Sequence, residues 1–316
     1  MEIRRLGRSG LRVSPLGLGT ARMAGLGWRH EATPAVSPVA KSDAVRQIQE
    51  AVDLGVTLFD TADNYGEGES ERILGEALRG RAGVIVVTKF GEDPMPDRDD
   101  PWALDAEAVG RKCEASLRRL GVECIDVYLL HRRDYPIERA PEMVGILEDL
   151  VRVGRIRAYG WSTDDVERAR VFATGEHCTA IEHRLNVFHD APAMLDLCRE
   201  HDLASLNRVP LLMGLLTGRW TEDTRLDHDD PRAPWFGQEG FRDLLARTRT
   251  IAPHLMRDGR STAQGALGWI WARSPLAVPL PGFRDMEQLR ELVEARRFGP
   301  LPPDAMRAIA ELIGPG

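Results

Sequence analysis

Residues 55–78 read GVTLFDTADNYGEGESERILGEAL and contain one complete structural unit. The apolar run VTLFD at 56–60 has the length and composition of a buried strand, and residues 69–79 have the apolar spacing of an amphipathic helix. A short polar segment rich in glycine separates the two. Because parallel strands need a crossover connection, a buried strand followed by a helix is the repeating unit of a parallel sheet.

This strand and helix unit recurs from one end of the chain to the other. We predict strands at 16–19, 56–60, 84–88, 124–130, 156–161, 180–183, 203–208 and 276–280. We predict helices at 42–54, 69–79, 105–120, 140–153, 165–173, 191–201, 262–273 and 285–296. Eight such units in 316 residues predict an α/β fold, a single (β/α)8 TIM barrel domain that spans residues 1–316.

Two segments stand outside the repeat. Residues 3–15, where RSG separates two short extended runs, predict an N-terminal β-hairpin, and residues 303–313 predict an extra C-terminal helix. We expect both to cap the barrel. Polar insertions at 22–41 and 219–239 follow strands, so we expect them to form substrate-pocket walls at the C-terminal rim.

Composition and charge argue against several classes of function. The chain is 43% hydrophobic and 29% charged, as globular proteins are, and its net charge of −7 arises without a long basic run. We therefore expect a small-molecule ligand and neither a nucleic acid nor a membrane as partner. The N-terminus lacks the apolar core of a signal peptide, so we expect a cytoplasmic protein. The oligomeric state stays open.

The cysteines and histidines give no pattern typical of a metal site. Four cysteines are scattered without a C-x-x-C pair, which favours reduced thiols over disulfides or structural zinc. His177, His183 and His189 fit no common ligand spacing, and we interpret them as structural residues. We expect no bound metal.

Four polar residues follow buried strands at successive positions. Asp60 ends the second strand, Tyr65 follows five residues later, Lys89 follows the third strand and His131 the fourth. Singly, each has an ordinary explanation as a turn cap, a loop anchor, a solvated lysine or a core histidine. Because strand ends converge in a barrel, the four are expected in one pocket, where such a group is costly to bury without a function. Lysine is also rare here, at three of 42 basic residues.

The segments that contain these residues resemble the signatures of the aldo-keto reductase family. GVTLFDTADNYGEGESERILGEAL, VVTKF at 86–90 and DVYLLH at 126–131 occur in the family's order and at similar spacing. Further similar segments are IRAYGWST at 156–163, PLLMGLLTG at 210–218 and VPLPGFRDMEQL at 278–289. The resemblance covers nearly the whole chain. It implies a (β/α)8 barrel that binds NAD(P)H without a Rossmann fold, and no G-x-G-x-x-G follows an early strand here.

The four polar residues suit hydride addition to a carbonyl. This reaction builds negative charge on oxygen, so the site must supply a proton and stabilise an oxyanion. We predict Tyr65 as the general acid, with the Lys89 ammonium lowering the tyrosine pKa from its ordinary value of about 10. Asp60 would hold the ammonium, and His131 would donate to the carbonyl oxygen and orient it.

The resemblance also implies a nicotinamide site. Ser162 and Glu182 would hold the carboxamide, and Arg208 would stack under the ring or pair with Glu182. Arg284 would lie near the 2′ position, which favours NADPH, with NADH as the alternative. The implied cofactor contacts are Gly19, Thr20, Ala21, Ser162, Glu182, Arg208, Pro210, Leu211, Gly214, Leu215, Thr217, Gly218, Gly282, Arg284, Gln288 and Glu291.

Three positions depart from the family's usual pattern. Glu182 stands where glutamine is usual, Thr163 where asparagine is common, and Leu292 where an asparagine often meets adenine. A glutamate accepts from a carboxamide NH2 but donates to its oxygen only when protonated. These departures leave open the cofactor affinity and the choice between NAD and NADP.

Three functional hypotheses therefore follow from the sequence. The first is an NAD(P)H-dependent oxidoreductase that acts on an aldehyde, a ketone or a sugar-like alcohol. The second is a Schiff-base aldolase with Lys89 as the amine nucleophile, since such enzymes also use lysines in (β/α)8 barrels. The third is a cofactor-binding regulatory subunit without significant turnover.

Overall fold

The computed structural model of the protein describes residues 3–23, 40–92, 102, 104–224 and 239–314. Two short strands precede eight parallel strands, each of which pairs with its neighbour in chain order. The strands are β1 (Arg4–Arg5), β2 (Arg12–Val13), β3 (Leu18–Gly19), β4 (Leu58–Asp60), β5 (Ile85–Phe90), β6 (Ile125–Leu130), β7 (Ile156–Ser162), β8 (Cys178–Arg184), β9 (Ala204–Arg208) and β10 (Ala277–Pro279).

The parallel sheet closes on itself between its first and last strands. The backbone amide of Gly17 donates to the carbonyl of Pro279 at 3.1 Å, and that of Gly19 donates to Pro281 at 3.1 Å. Gly19 also forms a parallel bridge with Gly282. The predicted (β/α)8 barrel is confirmed, and every predicted barrel strand overlaps an observed one.

Helices connect the strands. They are α1 (Lys41–Asp53), α2 (Glu69–Ala77), α3 (Ala106–Leu120), α4 (Ala140–Arg152), α5 (Val166–Ala173), α6 (Pro192–Glu200), α7 (Glu239–Leu255), α8 (Thr262–Arg273), α9 (Met286–Phe298) and α10 (Pro303–Ile313). Asp105, Asp165 and Ser261 cap α3, α5 and α8 by accepting from backbone amides of the first turn. No helix of the described residues is both long enough and apolar enough to cross a membrane.

Helix α7 is absent from the sequence-based prediction, which left residues 240–261 without a helix. Phe241, Leu245, Ile251 and Leu255 of α7 are buried, with the spacing expected of a helix packed along one face. Intervening arginines and threonines, with a proline at position 253, obscure this pattern in the sequence. The insertions predicted at 22–41 and 219–239 lie mostly outside the described residues.

The N-terminal hairpin closes one end of the barrel, as predicted. β1 and β2 pair antiparallel, and Leu6 and Val13 pack against the aliphatic side chains inside the barrel. Gly7 between them approaches β8 so closely that a Cβ would lie 2.1 Å from the carbonyl oxygen of Thr179. At the other end of the chain, α10 packs against α7, which confirms the extra C-terminal helix.

The strand period explains how the fold gathers polar side chains at the opposite end. Leu58, Val87, Ala180 and Leu206 belong to the aliphatic cluster inside the barrel. Because side chains two positions apart on a strand share a face, the residues two positions further along also face inward. These residues are Asp60, Lys89, Glu182 and Arg208, at the C-terminal ends of β4, β5, β8 and β9.

Candidate active site

Lys89, Asp60 and Glu182 form a charged cluster inside the barrel, and Lys89 at its centre is completely buried. Its Nζ atom lies 2.5 Å from Oδ1 of Asp60 and 3.3 Å from Oε2 of Glu182, and it donates to the carbonyl of Thr61 at 2.9 Å. Burial disfavours the ammonium, but the carboxylates of Asp60 and Glu182 outweigh burial and raise the pKa of Lys89. Lys89 therefore keeps its positive charge near neutral pH.

Asp60 and Glu182 share this ammonium, so the cluster contains one more carboxyl group than it has cations. Burial, together with the nearby charge of Glu182, raises the pKa of Asp60 well above its usual range, although Lys89 pulls in the other direction. The sequence predicted the pair of Asp60 with Lys89. It gave Glu182 a role toward the cofactor and none toward the lysine.

Tyr65 lies beside Lys89 and His131, in the loop that follows β4. The Lys89 Nζ atom is 5.4 Å from the centroid of the tyrosine ring, and the His131 ring meets that ring edge-on with centroids 5.9 Å apart. The predicted effect of Lys89 on the pKa of Tyr65 is present, but the net shift of that pKa is upward. Lys89 lowers this pKa, but burial and the carboxylates of Asp60 and Glu182 together outweigh that effect. They raise the pKa of Tyr65 above its ordinary value.

His131 follows β6, and its imidazole is neutral. Burial is the main cause that holds the pKa of His131 well below its usual range, and the positive charges of Lys89 and Arg133 add to it. Its Nδ1 atom lies 3.1 Å from Oε2 of Glu92. A neutral imidazole carries one N–H, which can donate to a ligand oxygen. Glu92 was not predicted, and its only signal in the sequence is an acidic residue three positions after Lys89.

Ser162 and Glu182 face each other in register on β7 and β8. The Ser162 hydroxyl donates to Oε1 of Glu182 at 3.1 Å. The other oxygen, Oε2, is buried and accepts no hydrogen bond from any described residue, despite the ammonium of Lys89 nearby. A buried acceptor without a donor is unusual in a folded protein. The N–H of a ligand amide would satisfy it, so this pair fits the carboxamide of a nicotinamide.

Arg208, at the end of β9, forms its ion pair with Asp164. The carboxylate of Glu182 also attracts this guanidinium, and both predicted roles of Arg208 stay predictions. Asp164 precedes α5 and also accepts from the backbone amide of Arg184 at 2.7 Å. Two positive partners and this backbone hydrogen bond lower the pKa of Asp164 despite its burial. Arg208 remains at the pocket rim, and Asp164, which is not part of the cluster around Lys89, balances its charge.

The other predicted cofactor residues also lie at the C-terminal rim of the barrel, where Thr20 and Glu291 already have partners within the protein. The Thr20 hydroxyl donates to the carbonyl of Asp60 at 2.9 Å, and Nη2 of Arg219 lies 2.9 Å from Oε2 of Glu291. The predicted residues come from the end of β3 (Gly19, Thr20, Ala21), the segment after β9 (Pro210, Leu211, Gly214, Leu215, Thr217, Gly218) and the segment from the end of β10 into α9 (Gly282, Arg284, Gln288, Glu291).

The segment after β9 has an unusual backbone. Val209, Leu212 and Met213 have positive φ values of 54°, 46° and 52°, and Gly214 has a φ of 101°. The left-handed region costs a residue with a side chain roughly 1–2 kcal/mol, so the surrounding structure must hold this conformation. The Thr217 hydroxyl contributes by donating to the carbonyl of Gly214 at 2.6 Å. Strained backbone of this kind clusters at ligand sites.

His183 is a structural residue within β8, in agreement with its interpretation from the sequence. Its Nε2 atom lies 2.8 Å from the hydroxyl of Ser205, and Nδ1 lies 3.1 Å from the carbonyl of Arg184. Burial lowers the pKa of His183 to about 4, so the ring is neutral. No group of three or more histidine, cysteine, aspartate or glutamate side chains in the described residues could hold a metal ion.

The charge of Lys89 separates two of the chemistries left open by the sequence. A lysine that forms a Schiff base must lose its proton before it attacks a carbonyl. Lys89 is held between two carboxylates, which raise its pKa and keep the proton on Nζ. The site therefore presents a fixed ammonium beside a tyrosine, which argues against the aldolase hypothesis.

Comparisons with known proteins match nearly the whole chain. The model of the Aldo/keto reductase family matches residues 15–313. The NADH-specific methylglyoxal reductase of Escherichia coli K12 is 31% identical over 98% of both chains. The solved structure of the glycerol dehydrogenase AKR11B4 from Gluconobacter oxydans superposes with a TM-score of 0.82 at 29% identity, covering 98% of this chain and 94% of that one. An aldo/keto reductase from Klebsiella pneumoniae, in complex with NADP and acetate, has a TM-score of 0.74 at 27% identity and coverage of 99% and 96%. The chain belongs to the aldo/keto reductase family.

Proposed function

We propose that the protein transfers a hydride between a nicotinamide cofactor and the carbonyl of an aldehyde, a ketone or a sugar-like substrate. The observation that carries this proposal is the meeting of Asp60, Tyr65, Lys89 and His131 at one end of the barrel, in a chain of this family. A bound nicotinamide supplies the hydride for reduction and accepts it in the oxidation of the alcohol. The protein's own side chains handle the proton and the oxygen.

Tyr65 is the acid in this mechanism. As the carbonyl oxygen gains negative charge, the phenol donates its proton to that oxygen. The Lys89 ammonium, 5.4 Å from the ring centroid, stabilises the phenolate that remains. Asp60 keeps the ammonium in place through the 2.5 Å contact. His131, as a neutral imidazole, donates its N–H to the same oxygen and orients the substrate.

The test of this mechanism is Tyr65→Phe, which removes the phenolic proton and keeps the ring. Oxidation of NADPH is followed with a panel of aldehydes. We expect turnover to fall by about 10²-fold to 10⁴-fold, the usual contribution of a positioned acid, with cofactor binding retained. Unchanged turnover in the variant contradicts the mechanism. Cofactor binding by the wild type without turnover of any aldehyde or alcohol supports the regulatory subunit instead.

For the cofactor we propose NADPH, with NADH as the second candidate. The guanidinium of Arg284, just before α9, is suited to a 2′-phosphate. Asp285 favours NADH. Its carboxylate accepts from the amide of Gln288 at 2.8 Å and so already occupies the N-terminus of α9, where a 2′-phosphate would otherwise be favoured. The E. coli relative is named NADH-specific, and the Klebsiella structure contains NADP. Relatives thus differ in this choice.

The cofactor choice is measured by titrating both coenzymes against the protein's own fluorescence. If Arg284 binds the 2′-phosphate, Arg284→Ala weakens NADPH by roughly tenfold, as expected for a charged hydrogen bond, and leaves NADH unchanged. Equal effects on both coenzymes contradict this role. Tighter binding of NADH by the wild type decides for the second candidate.

We also propose that the protein works in the cytoplasm. All four cysteines carry free thiols, and Cys113, Cys178 and Cys198 are buried, as is typical of proteins from reducing compartments. Fractionation of cells that produce the tagged protein tests this location. Recovery in the membrane or the secreted fraction contradicts it.

A further inference from the structure

Glu182 gives the cluster around Lys89 a second carboxyl group, which the lysine does not need for neutrality. Asp60 alone balances the ammonium through the 2.5 Å contact. Glu182 comes from β8, is only 3% exposed, and lies 3.3 Å from the same ammonium. Its Oε2 atom still accepts no hydrogen bond from any described residue. A carboxylate at this depth that has no cation of its own is unfavourable unless a ligand compensates it.

We infer that Glu182 makes the site bind the oxidised, positively charged nicotinamide in preference to the reduced, neutral one. The inference rests on the proposed function. A nicotinamide that exchanges a hydride with a carbonyl at Tyr65 and His131 has to lie next to this cluster. The extra carboxylate then attracts the ring in its cationic form only. The site therefore favours alcohol oxidation more than the same site would with a neutral amide at position 182.

The size of the effect follows from the charge and the separation. Two unit charges in contact attract one another weakly in bulk water and several times more strongly at the effective dielectric constant of about 20 that is typical of proteins, so a change in the binding ratio of about tenfold or more is expected. A more buried pair would have a larger effect. An uncharged side chain of the same shape removes this attraction and keeps the hydrogen bond from Ser162.

The charged neighbours of Glu182 do not cancel its charge. The cation of Lys89 is shared with Asp60, and Arg208, which Glu182 also attracts, forms its ion pair with Asp164. Burial keeps the imidazole of His131 neutral by lowering its pKa. The titratable and charged groups around the cluster include Asp60, Tyr65, Lys89, Glu92, His131, Arg133 and Arg208, from the ends of β4, β5, β6 and β9 and the loops after them.

Proton binding by the cluster makes the preference depend on pH. Since burial and the charge of Glu182 raise the pKa of Asp60, the Asp60 carboxyl holds its proton to a higher pH than usual, and while it does, the cluster carries no net charge. This proton leaves as the pH rises, and the cluster becomes net negative. The preference for the oxidised cofactor should therefore grow with pH. With glutamine at position 182, one cause of the raised Asp60 pKa is removed, so Asp60 and Lys89 balance each other over a wider pH range and the preference changes less with pH.

The experiment measures the dissociation constants of the oxidised and reduced cofactor for the wild type and Glu182→Gln, by fluorescence or calorimetric titration from about pH 6 to pH 9. We expect Glu182→Gln to weaken the oxidised form relative to the reduced form by about tenfold at the upper pH, and less at the lower pH. Glu123→Gln is the matched control, because it removes one charge from an exposed residue between α3 and β6.

The outcomes separate this inference from the proposed function. If the wild type binds neither cofactor form, the proposed function fails together with the inference. If both forms bind and Glu182→Gln leaves their ratio unchanged at every pH, the inference is overturned and the proposed function stands. Glu182→Asp keeps the charge and should keep the preference. This second variant remains informative if Glu182→Gln folds poorly. If Glu182→Asp loses the preference for the oxidised cofactor, the inference is also overturned.

Discussion

Two buried glutamates, Glu71 and Glu182, differ in how completely their carboxylate oxygens are hydrogen-bonded. Glu71 in α2 has no exposed surface, and both of its oxygens have partners, because it accepts from the hydroxyl of Thr88 at 2.6 Å and from Arg119. Glu182 has one hydrogen bond, from Ser162, and shares the cation of Lys89 with Asp60. A carboxylate that serves the fold is fully paired here, whereas the one at the proposed cofactor site shares its cation and has an oxygen that accepts no hydrogen bond from the described residues.

Glu71 with Thr88 and Arg119 forms one polar cluster, and Glu182 with Lys89 and Asp60 forms the other. Adjacent residues of one strand belong to the two clusters. Thr88 and Lys89 follow each other on β5, and successive side chains of a strand point to opposite faces. Thr88 contacts Glu71, which lies in the surrounding helical layer, and Lys89 contacts Asp60 inside the barrel. A shift of β5 by one residue would exchange the two and destroy both clusters. The register of β5 therefore determines the fold and the site together.

The largest expected effect comes from removing the cation of each cluster. Lys89→Met leaves Asp60 and Glu182 without their ammonium, and we expect the free energy of unfolding to fall by about 3–5 kcal/mol and turnover to be lost. Arg119→Met leaves Glu71 with its hydrogen bond from Thr88. Because Arg119 is 20% exposed, water can replace part of its contact, so we expect a smaller loss, about 2 kcal/mol, with turnover retained.

Urea unfolding at fixed pH and steady-state kinetics on the same preparations measure both quantities. The comparison fails if folded Arg119→Met loses as much turnover as Lys89→Met. It also fails if Lys89→Met keeps the activity of the wild type.

The next effect concerns the glutamates themselves. Glu71→Gln keeps an oxygen for Thr88 but loses the ion pair with Arg119, so we expect a loss of about 2 kcal/mol in the free energy of unfolding. Glu182→Gln keeps the bond from Ser162 and removes the surplus charge, so we expect stability within about 1 kcal/mol of the wild type. Thermal and urea unfolding measure the difference. Equal losses in the two variants would show that Glu182 is as much a part of the fold as Glu71.

Sequence patterns predicted the barrel well because its strands are short apolar runs in the order in which they pair. Each predicted barrel strand overlaps an observed strand, since buried parallel strands are continuous in their apolar character. Helix α7 was missed, because arginines and threonines lie between its buried residues. Its apolar face becomes evident only once the helix packs against the segment after β9 and the helices α8 and α10.

The site was predictable to the extent that it depends on strand ends. Asp60, Lys89 and His131 were recognised because they follow apolar runs, and the barrel brings such positions together. Glu182 was implied only by the resemblance to the family. The pair of Asp60 with Lys89 was predicted, but the contact of Glu182 with Lys89 was not. Whether Glu182 approaches Lys89, or Arg208 approaches Asp164, depends on side-chain geometry across strands far apart in the sequence, and no spacing encodes it. The net rise in the Tyr65 pKa was missed for the same reason, since it depends on burial and on several carboxylates.

A smaller effect is expected in the pH dependence of stability. The pKa of Asp60 is raised in the folded protein above its ordinary value of 3.8, so the folded state binds this proton more tightly than the unfolded state. The stabilisation is present below that ordinary value and is lost as the pH rises through the raised one. Glu182→Gln removes a cause of the rise. We expect the variant to gain stability relative to the wild type as the pH rises above about 4; urea unfolding from about pH 4 to about pH 9 measures it, and a change of opposite sign contradicts the assignment.

The smallest expected effect tests the two hydroxyl donors, Ser162 and Thr88. Ser162→Ala removes the hydrogen bond to Oε1 of Glu182, and Thr88→Val removes the one to Oε1 of Glu71. Each should lower the free energy of unfolding by roughly 1 kcal/mol. Cofactor titration then separates them, because Ser162→Ala loosens the carboxylate proposed to meet the nicotinamide and should weaken cofactor binding, whereas Thr88→Val should leave it unchanged. If both variants weaken the cofactor equally, the two clusters act as one unit, and the division between a carboxylate of the fold and a carboxylate of the site is wrong.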